Sequence, residues 1–150
     1  AAAVGLAQLR RYPAMLRRRR EIIGRYDAAL HPLGVETLPH YTAEHESSGH
    51  LYITRVPGIT PEQRNTLIEQ MAERGIACNV HYKPLPLLTA YKQLGFSIED
   101  YPHAYARFAN EITLPLHTRL TDEAVAYIID NYRELLQAMT AGGTIECANC

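Results

Sequence analysis

The sequence predicts an α+β fold in which helices cover one face of a small, mostly antiparallel three-stranded sheet. Three short runs rich in apolar and β-favouring residues predict the strands, at Gly49–Val56, Ile76–Tyr82 and Ile112–Leu116. About five segments with helical spacing of apolar residues surround these strands in the chain. Because these helices cover only one face, we expect the other face of the sheet to meet solvent or a further domain.

Length and composition indicate one ordinary globular domain. The chain has 150 residues and a formal net charge of −1. No apolar run reaches the ~20 residues of a membrane span, and the N-terminal apolar residues lack the basic flank of a signal peptide. We therefore expect a cytoplasmic protein with no membrane partner, and the overall charge gives no indication of a nucleic-acid partner.

The three cysteines do not form a disulfide framework, because their number is odd. Cys78 lies inside a predicted strand and is expected to be a small buried apolar residue. Cys147 and Cys150 form C-A-N-C at the end of the chain, a pair that could be half a zinc site or a redox pair. Without a second pair, a frayed tail is favoured, and we place the domain at 1–139 and a flexible tail at 140–150.

The N-terminal part is helical and basic. Ala1–Leu9 has helical composition without a capping residue before it, so we expect the chain to belong to a longer protein. Pro13 suits the first turn of a second helix that runs from about Tyr12 to Leu30. Arg17–Arg20 would allow nucleic-acid binding, but four consecutive arginines point around a helix rather than to one face. We predict a solvated helix instead.

The segment after this helix contains a turn, a short strand and three regularly spaced histidines. His31–Gly34 predicts the turn and Val35–Leu38 the strand. His40, His45 and His50 recur every five residues, a spacing that suits neither one face of a helix nor one face of a strand. A metal site made from these three histidines is therefore not predicted.

The clearest helix signal begins at Thr60. Thr60 and Gln63 have the spacing of a capping box, and Pro61 stands at the first helical position. The helix should end at Gly75. Its inward side chains are predicted to be Leu67, Ile68 and Met71.

A candidate site follows the predicted strand Ile76–Tyr82. His81, Tyr82 and Lys83 stand where the strand ends, and Pro84 and Pro86 prevent further sheet pairing. Polar groups at the end of a buried strand are a common place for binding or catalysis. The alternative interpretation is that His81 only makes local hydrogen bonds and Tyr82 packs. A helix over Leu87–Leu94 is expected next, ending at Gly95.

The last part of the chain predicts a helix, a strand and a long final helix. The short helix continues from Pro102 to about Asn110, and the strand Ile112–Leu116 follows. Thr121 caps the final helix, with acidic residues in its first turn. The apolar stripe of this helix comprises Val125, Ile128, Ile129, Tyr132, Leu135 and Leu136.

Asn79–Phe96, N-V-H-Y-K-P-L-P-L-L-T-A-Y-K-Q-L-G-F, resembles the signature of the C-terminal small domain of the DegT-type (DegT/DnrJ/StrS) sugar aminotransferases. These are fold type I enzymes that use pyridoxal phosphate. Further segments are also similar to the family, in matching order: Ala3–Leu9, Arg18–Ile22 with Arg25–Tyr26, and Glu111–His117 followed by Leu120–Glu123. The resemblance thus extends over residues 1–137 and implies the small domain of such an enzyme.

The resemblance implies that the intact enzyme moves an amino group, with glutamate as donor, to a nucleotide-linked keto-sugar. Polysaccharide or antibiotic-sugar biosynthesis and a homodimer are implied in the same way. In the family, the lysine that forms the Schiff base belongs to the large pyridoxal-phosphate-binding domain, which would lie upstream. The chain has two lysines, Lys83 and Lys92, and no glycine-rich phosphate loop. We therefore expect the chain alone to hold no cofactor and to be inactive.

The resemblance also implies that His81 faces the sugar-nucleotide site. Tyr82, Lys83 and His50 are further candidate substrate-binding residues. Many family members have a histidine where this chain has Pro86, which leaves the identity of the sugar open. A non-enzymatic oligomerising or regulatory fragment is the alternative hypothesis, because the predicted sheet has an uncovered face and the family lysine is absent.

Overall fold

The computed structural model describes residues 2–142, with side chains described through residue 139. The predictions for Cys147 and Cys150, and for most of the 140–150 tail, lie outside the described residues. Within the described range, no helix is both long enough and apolar enough to span a bilayer.

Helices and strands follow one another in the order α-β-β-α-α-α-β-α. They are α1 (Ala2–Leu30), β1 (Glu36–Thr37), β2 (Tyr52–Arg55), α2 (Pro61–Glu73), α3 (Thr89–Gln93), α4 (Pro102–Ala109), β3 (Glu111–Leu114) and α5 (Asp122–Gly142). Short 3₁₀ turns lie at His31–Leu33, Leu85–Leu87 and Ile98–Asp100.

The three strands form one antiparallel sheet in the order β1-β2-β3. Glu36 pairs with Arg55, which in turn pairs with Glu111 at the start of β3. At the other end of the pair, Tyr52 lies opposite Leu114. The predicted α+β class, with a small antiparallel three-stranded sheet, is confirmed.

The helices α1, α2 and α5 cover one face of the sheet and form the core with it. Side chains alternate across β2, so Tyr52 and Thr54 are buried against the helices while Ile53 and Arg55 lie on the opposite face. The helices contribute fully buried side chains that fill the space above the sheet. They include Ile22, Ile23, Tyr26, Leu30, Leu67, Met71, Val125 and Tyr132.

The helix α2 has the predicted capping box. The Gln63 amide donates to the Thr60 hydroxyl at 3.2 Å, and the Thr60 amide donates to Gln63 Oε1 at 2.8 Å. Leu67 and Met71 are buried as predicted, and Ile68 packs against the core while partly exposed.

The predicted strand Ile76–Tyr82 is wrong, and β1 is the third strand of the sheet instead. The segment makes only an isolated antiparallel bridge, between Asn79 and Thr113. Before the bridge, the Cys78 amide donates to the Ile76 carbonyl, a three-residue turn that interrupts an extended strand. After it, the amide of His81 donates to the side chain of Glu111 rather than to a strand backbone.

The predicted break before the second helix is also wrong, because α1 is continuous and Pro13 lies inside it. Proline removes one helical hydrogen bond, but alanine, leucine and arginine on both sides favour helix. These neighbours let the helix continue through Pro13.

The arginine run on α1 is not simply solvated, since three of its members contact other elements. Arg18 donates to Asp122 Oδ1 at 2.8 Å, at the start of α5. Arg19 donates to the Ser48 carbonyl at 3.3 Å. Arg20 pairs with Glu46 at 2.6 Å and lies over the Tyr41 ring. The run therefore fastens α1 to its neighbours.

Candidate functional site

His81 lies between two hollows on the side of the sheet opposite the main helical core. Its backbone is held by the bridge at Asn79 and by the Glu111 carboxylate, which accepts the His81 amide at 2.8 Å. The imidazole Nδ1 lies 2.9 Å from the Thr113 hydroxyl. The 3₁₀ turn at Leu85–Leu87 follows.

The first hollow, which we name the Arg55 hollow, has a volume of about 180 Å³ and combines positive and negative side chains. The Arg55 guanidinium is paired with Glu36 at 2.8 Å and also donates to Asn110 at 3.2 Å. Arg107, from α4, is exposed and makes no ion pair within the described residues. The lining residues are Glu36, Thr37, Leu38, Ile53, Arg55, His81, Arg107 and Glu111.

The second hollow, which we name the His50 hollow, brings together two residues that are distant in the sequence. It has a volume of about 250 Å³. His50 lies just before β2 and is exposed, whereas His81 is half-buried. The lining residues are His50, Leu51, Ala77, Asn79, His81, Thr113, Leu114, Pro115 and Leu116.

Tyr82 and Lys83 differ in how closely they are associated with His81. The Tyr82 ring meets the His81 ring edge-on, with centroids 4.8 Å apart, and is itself 74% exposed. Lys83 is exposed and makes no hydrogen bond or ion pair among residues 2–142. Lys92, on α3, is also exposed. The structure thus groups three of the four predicted residues, His50, His81 and Tyr82.

Glu111 and Thr113 are the site residues that sequence reasoning missed. They are two positions apart on β3, so they share one face of the strand, and the segment containing His81 buries both. Glu111 Oε1 also accepts the Thr113 hydroxyl at 3.0 Å. The alternation of polar and apolar residues in Glu111–Leu114 was the available signal. It showed a polar face but not what covers that face.

A buried arginine, Arg64, donates a hydrogen bond to the backbone of Glu111. Arg64 is 3% exposed and donates to the carbonyls of Phe108 at 2.8 Å and Glu111 at 3.3 Å. Burial lowers the pKa of Arg64, and the negative charge of Glu111 opposes that change. Arg64 therefore holds the start of β3, and with it Glu111, against α2.

The other two histidines of the regularly spaced set, His40 and His45, contact different residues. His40 is buried, with its ring stacked on Tyr52 at 5.9 Å, and His45 contacts Thr42 and the Pro39 carbonyl. Across the described residues, no group of three or more His, Cys, Asp or Glu side chains is arranged to hold a metal ion. Cys78 is free and partly buried against the core, and burial raises the pKa of its thiol to about 12.

The chain is similar in sequence to curated proteins that are longer than it is. It is 30% identical over 141 residues to the spore coat polysaccharide biosynthesis protein SpsC of Bacillus subtilis, covering 91% of this chain and 36% of that protein. It is 33% identical to dTDP-4-dehydro-2,3,6-trideoxy-D-glucose 4-aminotransferase of Saccharopolyspora spinosa, covering 91% and 34%. The chain thus spans about a third of the length of these curated relatives.

Solved structures show the same similarity in three dimensions. Spr1654 of Streptococcus pneumoniae, a protein named as a sugar aminotransferase by assignment, is 54% identical in its apo form with a TM-score of 0.90, covering 93% of this chain and 35% of that one. Its pyridoxal-phosphate form is 55% identical with a TM-score of 0.88, covering 91% and 35%. The family model for DegT/DnrJ/EryC1/StrS aminotransferases matches residues 1–133. The chain therefore belongs to the DegT/DnrJ/EryC1/StrS aminotransferase family.

Proposed function

We propose that the chain is the C-terminal part of a pyridoxal-phosphate-dependent aminotransferase that acts on a nucleotide-linked keto-sugar. The observation that carries this proposal is the family match over residues 1–133, on a domain in which the His81 side chain lies between two hollows. Relatives named as transaminases of dTDP- and UDP-linked sugars support this substrate class. Glutamate is the proposed amino donor.

The residues of this chain do not fit the cofactor by themselves. A lysine that holds pyridoxal phosphate must be enclosed with a phosphate cradle and an acid for the pyridine nitrogen. Lys83 and Lys92 are both exposed, and neither side-chain amine has a hydrogen-bond or ion-pair partner in the part of the chain that the structure describes. The proposal therefore assigns the cofactor to a large domain of the intact enzyme and no cofactor to this part alone.

An exposed apolar stretch of α1 supports a partner domain. Val4, Leu6 and Leu9 are 67%, 53% and 64% exposed, in the half of α1 that contributes no described residue to the core. Leu6 and Leu9 are three positions apart and share one face of the helix, and exposed apolar side chains on one face commonly mark an interface. We assign this surface to the large domain of the same enzyme, and the homodimer is part of the same proposal.

The experiment is an amination assay on the intact enzyme. With pyridoxal phosphate and glutamate present, it should convert a UDP- or dTDP-linked keto-sugar into the corresponding amino-sugar, detected by mass spectrometry. Free keto-sugars without the nucleotide serve as the control and should not react. Conversion of the free sugars at an equal rate, or amination of 2-keto acids alone, would contradict the proposed substrate class.

A matched pair of variants tests the position of the cofactor-binding lysine. Lys83→Ala and Lys92→Ala should both leave the visible absorption of bound pyridoxal phosphate in the intact enzyme unchanged, because both amines are exposed. Loss of that absorption in either variant would overturn the assignment of the cofactor to the large domain.

The exposed stretch of α1 also favours the second hypothesis, a non-enzymatic oligomerising module. Sedimentation of the 150-residue chain separates the two proposals. Self-association that Leu6→Asp and Leu9→Asp abolish would support the module. A monomer at all concentrations would count against it.

A further inference from the structure

Three side chains form a connected set beside the two hollows. Glu111 and Thr113 are each 5% exposed, and both contact His81. The Thr113 hydroxyl donates to Glu111 Oε1 at 3.0 Å, and His81 Nδ1 lies 2.9 Å from the same hydroxyl oxygen. The His81 amide donates to that carboxylate oxygen at 2.8 Å, which fixes the backbone of the histidine relative to the other two residues.

The direction of these hydrogen bonds follows from the number of hydrogens available. A carboxylate only accepts, and a threonine hydroxyl has a single hydrogen to donate. That hydrogen lies between Thr113 and Glu111, so the Thr113 oxygen is an acceptor toward His81. The hydrogen in the bond between His81 and Thr113 must then belong to Nδ1 of the imidazole.

A neutral imidazole with its hydrogen on Nδ1 has a lone pair on Nε2. Within the described residues, His81 Nε2 makes no hydrogen bond, and the ring lines both the Arg55 hollow and the His50 hollow. When the ring is neutral, this nitrogen is therefore an acceptor on the side of the ring away from Thr113. An acceptor suits an O–H group and does not suit a phosphate oxygen, which itself only accepts.

We propose that Glu111 and Thr113 are positioning residues that hold neutral His81 as the Nδ1–H tautomer, so that Nε2 accepts a hydrogen bond from a hydroxyl group of the sugar. The inference rests on the proposed function, because it takes the hollows beside His81 as the place where the sugar nucleotide meets this domain. It adds that His81 recognises a sugar hydroxyl and not the nucleotide's phosphates.

The tautomer can be measured by long-range ¹H–¹⁵N NMR on the ¹⁵N-labelled 150-residue chain, at the alkaline end of a pH titration. The His81 signals are identified by their absence in His81→Asn. Wild type should show a protonated Nδ1 and an unprotonated Nε2. Thr113→Ser keeps the hydroxyl and should keep this pattern. Thr113→Val removes the acceptor, so the ratio of Nε2–H to Nδ1–H should rise at least about five-fold, which corresponds to ~1 kcal/mol for one hydrogen bond.

Two results would overturn the inference: a wild-type ring protonated on Nε2, or a tautomer ratio unchanged in Thr113→Val. If Thr113→Val is unfolded by its amide spectrum, the wild-type and Thr113→Ser tautomers decide the question alone. In the intact enzyme, Thr113→Val should raise KM for the sugar nucleotide by more than Thr113→Ser does.

A different result would count against the proposed function itself. If wild-type KM persists in both Thr113→Val and His81→Asn, the hollows do not receive the sugar, whatever the tautomer. A raised KM in His81→Asn together with an Nε2–H tautomer in wild type would keep the proposed function and refute the role of Glu111 and Thr113.

Discussion

A buried pair of hydroxyl groups joins the last helix to the sheet, and its two members should respond unequally to deletion. The Thr54 hydroxyl donates to the Ile112 carbonyl at 2.7 Å. Its one hydrogen is therefore used, and the Tyr132 hydroxyl, 3.0 Å away, is the donor to Thr54. Burial raises the pKa of Tyr132, which keeps this hydroxyl protonated as a donor.

The two single deletions leave different groups without partners. Thr54→Val leaves the Tyr132 hydroxyl, on a fully buried side chain, with no acceptor, and an unsatisfied buried polar group costs about 1–3 kcal/mol. Tyr132→Phe removes the donor and leaves Thr54 bonded to Ile112, so only one net hydrogen bond of about 0.5–1.5 kcal/mol is lost. Thr54→Val should therefore be the more destabilising change.

The double variant Thr54→Val/Tyr132→Phe tests the assignment of donor and acceptor. In the double variant, the valine leaves no Tyr132 hydroxyl unsatisfied. The double variant should therefore lose about 1–2 kcal/mol less stability than the sum of the two single losses. Urea unfolding of the four proteins gives the free energies of unfolding. Tyr127→Phe, on the same helix but with a half-exposed ring, is the control and should change stability by less than about 0.5 kcal/mol. Additive losses, or a larger loss in Tyr132→Phe than in Thr54→Val, would refute the reasoning.

Two further predictions concern the packing of α1 and the 40–50 segment. Gly49→Ala should destabilise the chain by about 1–2 kcal/mol, because Gly49 has φ +62° and an added Cβ would lie 3.0 Å from Ile23 Cδ1. Gly24→Ala, in open space on α1, should instead stabilise the chain by about 0.5–1 kcal/mol in the same urea assay. Equal effects of the two substitutions would contradict this prediction. Burial lowers the pKa of His40 in the folded chain, so as the pH falls the unfolded chain binds a proton at His40 before the folded chain does. The stability contributed by His40 is therefore intact above the unfolded pKa of about 6.5 and falls as the pH decreases below it. Unfolding at pH 7.5 and pH 5.5 should show a larger loss in wild type than in His40→Phe, and an equal loss in both would contradict the buried neutral histidine.

Local sequence signals predicted much of this fold, and the errors lie where tertiary contacts decide. The capping box at Thr60 depends on residues three apart, and the alternation in Tyr52–Arg55 depends on burial of one face, so both are visible in sequence. The apolar composition of Ile76–Tyr82 is equally strand-like. Whether a segment pairs along its length depends on its neighbour in space, and here only Asn79 pairs with Thr113.

The same distinction applies to the site. His81 is predicted as a candidate because it follows an apolar run and precedes two prolines, which is a local pattern. Glu111 and Thr113 lie 30 and 32 residues further along the chain, and only the structure brings them to His81. The arginine run on α1 was recognised, but its contacts with Asp122, Ser48 and Glu46 also join segments that are distant in sequence.

The most direct test measures how the intact enzyme binds the proposed sugar-nucleotide substrate when the Nε2 edge of His81 is removed. His81→Asn can keep an N–H group toward Thr113 while deleting Nε2, whereas His81→Gln can place an acceptor near the Nε2 position. His103→Asn, an exposed histidine on α4, is the matched control. We predict that His81→Asn raises KM for the sugar nucleotide about 2- to 12-fold, the range for one neutral hydrogen bond. We also predict that His81→Gln partly restores KM and that His103→Asn leaves it unchanged. Wild-type KM in a folded His81→Asn enzyme would contradict the claim that this part of the domain meets the sugar.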